Sequence, residues 1–449
     1  MTIFNDIPTV VISNFAEAHI DFLGRSDKPS EAVDLINGED YHGDRTILWA
    51  GDPKLVVVNY PIAHAGLNGS RLDYPGTTHV APKEPSHYLS LDILRERHLL
   101  DAIVEHSGTA RVVRIIPYAT TREFLRLVDV LRADFGLNVI TPESPDAEHF
   151  WIRDYIDSKT GFRSLASFWL PNADKILPFG IVCNGLKHAA EVAYWFSTKG
   201  EACVVKADTG ESGIGITIIT PEPGLTMEAV YNKIQLDPFY ADEPIVVESF
   251  VPSSQRISPS LEVVVPQQGS GEPKVTYISK QLFLGFGDFC GIQVDRTIYD
   301  QAWCDDLVNA GLEIARKLQV MGYVGHFDVD CIVSDDNKLY LLEVNARRTG
   351  GTHVHEFAKH MFGDDYINQV SLISFEAASS GVITDPDRLI QVLDDYLYPM
   401  AGDGPLGVVV TITNALFKNR FGYVIVAPTE KQAIALQESL NERIRNYSG

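Results

Sequence analysis

The stretch VVKADTGESGIGITIIT, residues 204–220, joins an apolar strand pattern to a glycine-rich turn and a second β-branched run. Lys206 lies near the end of the first strand, and the glycines follow within residues 210–215. Glycine lets the backbone turn its N–H groups toward an anion without an obstructing Cβ. A Walker or dinucleotide-binding loop would lead into a helix, whereas GITIIT favours a strand. The pattern predicts a hairpin flap over phosphates, although an ordinary glycine-rich turn has the same sequence signature.

A second hairpin is predicted at residues 324–345, VGHFDVDCIVSDDNKLYLLEVN. Asp328 and Asp330 share one face of its first strand, and Glu343 and Asn345 share one face of its second. A short turn brings Asp330 opposite Glu343, so carboxylate and amide oxygens converge as hard ligands suited to Mg²⁺. The alternative is a solvated polar face, which fits Glu343 poorly because it interrupts an apolar run.

Two arginines, Arg347 and Arg348, follow this hairpin directly. Arg347 beside a metal cluster could stabilise charge on a transferring phosphoryl group, and the alternative is a structural ion pair with a nearby carboxylate. Residues 349–352 could offer backbone N–H groups to an anion at a helix start. His353 and His355 have the spacing of metal ligands but lack further partners, so we expect helix-start residues near the pocket.

The composition of the 449-residue chain is that of a globular protein, with 45% hydrophobic and 22% charged residues. The length suggests about three compact units. A net charge of −23 without a basic stripe argues against nucleic acid as a partner. The N-terminal residues lack a signal-peptide pattern, and no apolar run reaches the ~18 residues of a membrane span. We therefore expect a cytoplasmic protein without a membrane partner.

The five cysteines are isolated from one another and lie in apolar or helical stretches. This pattern predicts buried thiols in a reducing compartment and does not predict a metal site. They are Cys183, Cys203, Cys290, Cys304 and Cys331.

Strand and helix patterns alternate over residues 1–150, which predicts an open, mainly parallel α/β sheet. The helix pattern REFLRLVDVLRADFG occupies residues 122–136. The predicted strands are TILWA (46–50), LVVVNYP (55–61), VVRIIPY (112–118) and LNVITPE (137–143).

The middle region, residues 151–375, carries nearly all the candidate chemistry. Besides the two hairpins, we predict helices near residues 157–168 and 301–321 and a strand at 245–251. Residues 376–449 contain two strand patterns and a final helix, which predicts a small C-terminal α+β domain.

In order, the chain has a DSK helix start, a strand lysine with a GxSGxG flap, an apolar strand ending in glutamate, and D–x₁₂–ExNxR. This order resembles the ATP-grasp superfamily over roughly residues 150–360. The stretches EVNARRTGGTHVHEF and VVVTITNALFKNRFG are similar to those of the pheganomycin-type peptide ligases. The resemblance implies a multidomain α/β and α+β protein with a pre-ATP-grasp domain, an ATP-grasp domain and a C-terminal domain.

The resemblance also implies a site for ATP and Mg²⁺, the latter as two ions. Residues with implied roles at ATP are Lys159 and Lys206 at the phosphates, Ser212, Gly213 and Gly215 in the flap, and Glu248, Phe250 and Val251 at the adenine hinge. The implied magnesium ligands are Asp330, Glu343 and Asn345. Arg347 and Lys206 are the implied catalytic residues.

The implied reaction activates a carboxylate as an acyl phosphate and joins it to the amino group of an amino acid or peptide, releasing ADP and phosphate. Many relatives dimerise, so a homodimer is expected. The alternatives are a small-molecule kinase with the same nucleotide site, a non-catalytic nucleotide-binding protein and, with less support, a carboxylase. Arg256, Lys280 and Arg296 are further candidates for recognising the substrate carboxylate, with surface charge as the alternative for each.

Overall fold

The computed structural model describes residues 7–26, 29–210, 213–240, 244–285, 287–402 and 404–448. These residues form three sheets. The strands are β1 (Thr9–Ile12), β2 (Lys54–Val57), β3 (Thr77–Val80), β4 (Val112–Pro117), β5 (Asn138–Ile140), β6 (Gly180–Asn184), β7 (Cys203–Ala207), β8 (Ile216–Ile219), β9 (Pro244–Ser249), β10 (Pro259–Val265), β11 (Lys274–Phe283), β12 (Phe289–Val294), β13 (Gly325–Val333), β14 (Leu339–Asn345), β15 (Ser371–Ser379), β16 (Gly407–Ile412) and β17 (Arg420–Ala427).

Helices connect and cover the sheets. They are α1 (Phe15–Leu23), α2 (Pro29–Asp40), α3 (Ala65–Arg71), α4 (Leu89–Arg95), α5 (Arg97–His106), α6 (Arg122–Ala133), α7 (Phe150–Ile156), α8 (Lys159–Trp169), α9 (Ala173–Ile176), α10 (Leu186–Thr198), α11 (Met227–Ile234), α12 (Arg296–Tyr299), α13 (Cys304–Met321), α14 (Thr352–Phe362), α15 (Pro386–Leu393) and α16 (Glu430–Asn446). Short 3₁₀ helices occupy Tyr41–Leu48, Pro238–Tyr240, Tyr366–Asn368, Asp394–Tyr396 and Leu416–Lys418.

The N-terminal sheet is five-stranded and parallel, in the order β3-β2-β1-β4-β5, as the alternating pattern predicted. The predicted amphipathic helix is α6. Its N-terminus is capped by Thr121, whose side chain accepts a hydrogen bond from Phe124 N. Its buried face, which includes Leu127 and Leu131, packs into the core beneath the sheet.

The prediction of a strand at residues 46–50 is wrong, because most of this segment lies in the 3₁₀ helix Tyr41–Leu48. Its apolar side chains are buried, as in a strand, but the helix is held in place by contacts with distant residues and not by pairing in a sheet. Asp44 accepts hydrogen bonds from Thr413 N (2.7 Å) and Asn414 N (3.1 Å), far along the chain. A short apolar run does not distinguish a strand from another buried segment. The sheet instead gains β1 and β3, which the sequence interpretation omitted.

The second sheet is antiparallel, in the order β6-β9-β7-β8, and it contains the predicted glycine hairpin. Strands β7 and β8 pair directly, and Ala207 N donates to Gly215 O at 2.8 Å beside the turn. A strand rather than a helix follows the glycines, as the run GITIIT predicted. Helices α10 and α11 pack against each other and close the core on one face.

The third sheet is eight-stranded, in the order β14-β13-β10-β11-β12-β15-β17-β16. The predicted acidic hairpin is β13–β14, with Asp330 opposite Glu343. Helix α13 packs on β10, and α16 packs on β15 and β17. The domain boundaries expected after residues 150 and 375 fall inside α7 and β15, so the C-terminal strands extend the sheet of the middle region.

All five cysteines are buried and free. In the part of the chain that the structure describes, no helix has both the length and the apolar character needed to cross a membrane.

Candidate functional site

A cleft of about 560 Å³ lies between the four-stranded and eight-stranded sheets. Strands β7 and β8 line one side with Val204, Lys206, Ile216 and Ile218. Strands β10, β11, β13 and β14 line the other with Ser260, Ser279, Asp330 and Glu343. Its volume is typical of a small-molecule site, and apolar walls with convergent charged groups are the usual composition of one.

Two buried lysines point into this region from different elements. Lys206, on β7, forms an ion pair with Glu248 on β9. Lys159, at the start of α8, lies with its Nζ 3.0 Å from Glu343 Oε2. Burial lowers the pKa of Lys159, but Glu343 outweighs burial and raises it, so this lysine is cationic. Lys206 therefore lines the cleft, whereas Lys159 is not among its described lining residues and reaches the acidic hairpin through Glu343.

The start of α8 is fixed by its own sequence and by the glycine hairpin. Ser158 caps the helix, and its Oγ accepts from Gly161 N at 3.0 Å. Asp208, just after β7, accepts from Thr160 N through its side chain and from Lys159 N through its carbonyl, both at 2.8 Å. Lys159 is therefore positioned by the base of the flap.

The acidic hairpin gathers three carboxylates, those of Asp328, Asp330 and Glu343, and the amide of Asn345. Asn345 Nδ2 donates to Asp328 Oδ1 (2.9 Å) and Asp330 Oδ2 (3.1 Å), and Gln281 Nε2 donates to Asp330 Oδ1 at 3.0 Å. Burial and the charge of Glu343 raise the pKa of Asp330. Burial also raises the pKa of Glu343, but Lys159 and Lys206 outweigh burial and hold it below its usual range.

These residues fit a divalent cation that is shared with a ligand. Asp330 and Glu343 are like charges that face each other across the hairpin, and a cation would relieve the repulsion that, after desolvation, raises the pKa of Asp330. No three His, Cys, Asp or Glu residues converge as a metal centre within the described ranges. The cluster therefore supplies part of a coordination shell, as Mg²⁺ sites completed by phosphate and water do. Rotation of the Asn345 side-chain amide by about 180° would exchange Nδ2 for Oδ1 and add a third oxygen ligand to those of Asp330 and Glu343.

The flap requires glycine at two positions near its tip. Gly213 has φ +84°, and a Cβ there would overlap the carbonyl oxygen of Gly287 in the β11–β12 loop. Gly215 has φ +74°, and a Cβ would lie 2.9 Å from Ala207 Cβ. At Gly210 a Cβ would lie 2.9 Å from Lys159 Nζ, so backbone and ammonium are close. Ser212, also predicted in the flap, lies outside the described residues.

The predicted hinge residues Glu248, Phe250 and Val251 line the cleft at the end of β9. Glu248 accepts from Arg163 Nη1 at 3.1 Å besides its pair with Lys206. Sequence reasoning missed Arg163. The signal was available, because Arg163 follows Lys159 by four residues and therefore shares its helix face.

The two consecutive arginines have different surroundings. Arg347 lines the cleft, its Nε donates to His19 Nε2 at 2.9 Å, and its guanidinium lies 5.8 Å from the ring centre of Tyr118. Arg348 is buried and forms a two-point interaction with Glu143, at 2.7 and 2.8 Å. Arg347 is the arginine available to a ligand, and Arg348 is a structural residue.

Of the other residues predicted to contact the substrate, one lines the cleft and two do not belong to its described lining. Arg256 lines the cleft, whereas Lys280 and Arg296 are not among its described lining residues, and Arg296 pairs with Asp300 on the surface at 3.2 Å. His353 and His355 are buried beside β15 and the 3₁₀ helix Tyr366–Asn368, 3.4 Å from Ser374 Oγ and 3.0 Å from Tyr366 OH.

Some of the backbone N–H groups at 349–352, which were predicted to bind an anion, already have hydrogen-bond partners. Thr349 N donates to Thr352 Oγ1 at 2.9 Å, and Thr352 N donates to Thr349 O at 3.2 Å. These two N–H groups have partners within the loop, so the N–H groups of Gly350 and Gly351 are the better candidates for a ligand.

No protein-family model matches the sequence, and no curated protein does either. The structure is similar to biotin carboxylase from Campylobacter jejuni, with 14% identity, a TM-score of 0.59, and coverage of 97% of this chain and 91% of that one. It is also similar to purK, an N5-carboxyaminoimidazole ribonucleotide synthetase, with 13% identity, a TM-score of 0.54 and 98% coverage of both chains.

A third similar structure is the biotin carboxylase domain dimer of the Hydrogenobacter thermophilus 2-oxoglutarate carboxylase. It has 12% identity, a TM-score of 0.55, and coverage of 97% of this chain and 89% of that one. At such identities the likeness concerns the fold. The chain has the ATP-grasp fold, with a parallel N-terminal sheet and antiparallel sheets around the cleft, as the motif order implied.

Proposed function

We propose that this protein is an ATP-dependent ligase that activates a carboxylate as an acyl phosphate and joins it to an amino group, releasing ADP and phosphate. One observation carries the proposal. Lys206, two carboxylates and an amide line a single cleft, and the buried Lys159 joins this group through its 3.0 Å contact with Glu343. Positive groups for phosphate and oxygen ligands for Mg²⁺ are the parts that phosphoryl transfer needs.

We assign the residues to roles as follows. Lys159 and Lys206 hold phosphate oxygens, Gly213 and Gly215 let the flap backbone approach them, and the end of β9 holds the base. Asp330, Glu343 and Asn345 hold magnesium, as two ions. Mg-ATP, when bound, supplies the phosphoryl group that activates the carboxylate. In support, the structurally similar 2-oxoglutarate carboxylase domain was solved with MgADP, ADP and bicarbonate.

The chain's own residues act by position and charge. No protein nucleophile is required, because orientation and charge neutralisation can supply most of the acceleration. Arg347 lines the cleft beyond Asn345 and stabilises negative charge that develops on the reacting acyl group. The flap contact between Gly213 and Gly287 keeps water from an intermediate that water would hydrolyse.

The resemblance of residues 343–357 and 408–422 to pheganomycin-type enzymes supports an amino acid or derivative as the carboxylate donor and an amino acid or peptide as the amine. A homodimer is proposed as well, since one similar structure is a dimer. The kinase alternative shares the nucleotide site, and the carboxylase alternative would use bicarbonate as the carboxylate.

The proposal is tested by measuring ADP and AMP release with Mg-ATP and hydroxylamine across amino acids, N-acyl amino acids and bicarbonate. We expect carboxylate-dependent ADP together with a hydroxamate. ADP without hydroxamate would favour the kinase, and turnover with bicarbonate alone would favour a carboxylase. AMP in place of ADP would overturn the mechanism.

A further inference from the structure

The cleft also has a part whose side chains have no assigned role in binding ATP or magnesium, and we refer to this part as its inner end. Side chains from α2, the 3₁₀ helix that follows it and β15 line this end, and we refer to them as the inner-end cluster: Glu39, His42, Arg45 and Glu376. A Cβ at Gly350 would lie 3.0 Å from Glu376 Oε1. The cluster therefore adjoins the loop that carries Arg347.

Arg45 has hydrogen-bonding capacity left for a ligand. Its side chain is 4% exposed and lines the cleft. One Nη donates to Glu376 Oε1, and the guanidinium lies 4.7 Å from the ring centre of Phe15. Its Nε is buried and has no hydrogen-bond partner among the residues that the structure describes. A buried donor without a partner is costly, and a planar guanidinium is suited to a carboxylate.

The two carboxylates of the cluster are bridged by one imidazole. His42 lies 3.8 Å from Glu39 and 4.0 Å from Glu376. Burial raises the pKa of Glu39, but hydrogen bonds with His19 and His42 outweigh burial and hold it well below its usual range. Glu39 is thus ionised, and through His19 it is connected to Arg347.

We propose that the inner-end cluster is the binding site for the amine substrate, and that this substrate is a free α-amino acid held by Arg45 at its carboxylate and by Glu376 and Glu39 at its ammonium. This inference rests on the proposed function, because it identifies the second substrate of that reaction. Arg45 and Glu376 form an ion pair in the structure. The carboxylate of a zwitterion could pair with Arg45 and its ammonium with Glu376, so that no buried charge would be left unpaired.

The spacing and charge of the cluster favour this ligand over two others. Arg45 and Glu376 are in direct contact, which suits charges carried by one carbon atom. The termini of even a dipeptide can lie about 7 Å apart. A phosphate monoester carries nearly two negative charges and would meet two carboxylates at this end of the cleft.

Equilibrium dialysis with each of the twenty proteinogenic L-amino acids, without nucleotide, tests the site. The variant is Arg45→Met/Glu376→Gln, which removes the pair together and leaves neither charge alone. The matched control is Arg71→Met/Asp394→Asn, which removes a surface ion pair of 3.1 Å. We expect the wild type and the control to bind at least one amino acid, and the cleft variant to bind it about ten- to hundredfold more weakly.

Two further measurements separate this inference from the proposed function. ATP binding should be the same in all three proteins, which shows that the cleft variant is folded. The N-acetyl derivative and the methyl ester of the bound amino acid should each bind more weakly than the amino acid itself. Equal amino-acid binding by the cleft variant, or no binding to the wild type, would overturn the inference even if ATP turnover is confirmed. Binding without ATP turnover would support the site and reject the ligase.

Discussion

Glu343 is the residue at which the charges of the cleft meet. It faces Asp330 across the β13–β14 pair, and its Oε2 lies 3.0 Å from Lys159 Nζ. A carboxylate in this position can hold a cation and orient a lysine at once. The sequence predicted its role from its place opposite Asp330 in the hairpin, from the ExNxR pattern and from the acid's position inside the apolar run LYLLEVN.

Glu343→Gln should reduce ATP turnover by about 10²- to 10³-fold, because it removes the charge that pairs with Lys159 and that would bind the proposed magnesium. ADP release under saturating substrate measures the effect. Asp336→Asn is the control, since Asp336 lies exposed in the turn of the same hairpin. Turnover within a few-fold of wild type in a folded Glu343→Gln protein would contradict the metal assignment.

Unlike Arg347, Arg348 should contribute to the stability of the folded protein. It is 2% exposed and pairs with Glu143 at two points. Arg348→Ala should lower the free energy of unfolding by about 3–5 kcal/mol, because it leaves the largely buried Glu143 carboxylate without its two-point guanidinium partner. Urea unfolding measures this loss.

Arg316→Ala is the control for that loss, since Arg316 is 53% exposed and its change should lie within about 0.5 kcal/mol. A similar small effect for Arg348→Ala would remove the distinction between a structural arginine and a ligand-facing one.

At the scale of elements, both hairpins and the amphipathic helix α6 were predictable because each has a local signal. The period of two predicts β7–β8 and β13–β14, and the helical period predicts α6. The segment 46–50 had no such signal. The 3₁₀ helix that contains most of it is fixed by the hydrogen bond from Thr413 N to the Asp44 side chain, 369 residues apart, and local patterns carry no information about such a contact.

The flap should be sensitive to Gly213→Ala through a contact rather than through backbone strain alone. A Cβ at Gly213 would overlap Gly287 O, and such overpacking costs about 1–3 kcal/mol. We expect ATP to bind roughly tenfold more weakly, by calorimetric titration.

Gly224→Ala is a matched control for the flap variant. Gly224 has φ +81°, close to the +84° of Gly213, but a Cβ there meets nothing within 4 Å. Both variants place alanine at nearly the same positive φ, so equal losses of ATP affinity would show that the contact with the β11–β12 loop does not matter.

At the scale of the whole molecule, distant parts of the chain are joined by buried polar networks. Glu143, after β5, contacts both Arg348 and His326 of β13, and His326 contacts Glu262 of β10 at 3.0 Å. The inner-end cluster joins Arg45 to Glu376, 331 residues away. None of these pairings has a sequence signature, so motif order predicted the proposed nucleotide side of the cleft and made no prediction for its inner end.

The network around His326 predicts a pH-dependent stability. Burial and Arg348 lower the pKa of His326, but Glu143 and Glu262 outweigh them and raise it to about 9. Its stabilisation is therefore full below pH ~6.5 and is lost as pH rises through about 9, on the order of 3 kcal/mol in total. Urea unfolding between pH 6.5 and 9 measures this decline.

His326→Gln should flatten that pH dependence, because glutamine carries no proton to lose in this range. His98→Gln is the control, since His98 is 41% exposed. An equally steep decline in the His326→Gln protein would place the pH dependence elsewhere.

The most direct test of the ligase is the fate of the carboxylate oxygen. The enzyme is incubated with Mg-ATP and a mixture of amino acids that all carry ¹⁸O in both carboxylate oxygens, and the released phosphate is analysed by mass spectrometry. Because an acyl phosphate transfers one carboxylate oxygen to phosphorus, we predict one ¹⁸O atom in phosphate for each amide bond formed. Amide formation with unlabelled phosphate, or ¹⁸O in AMP, would contradict the account.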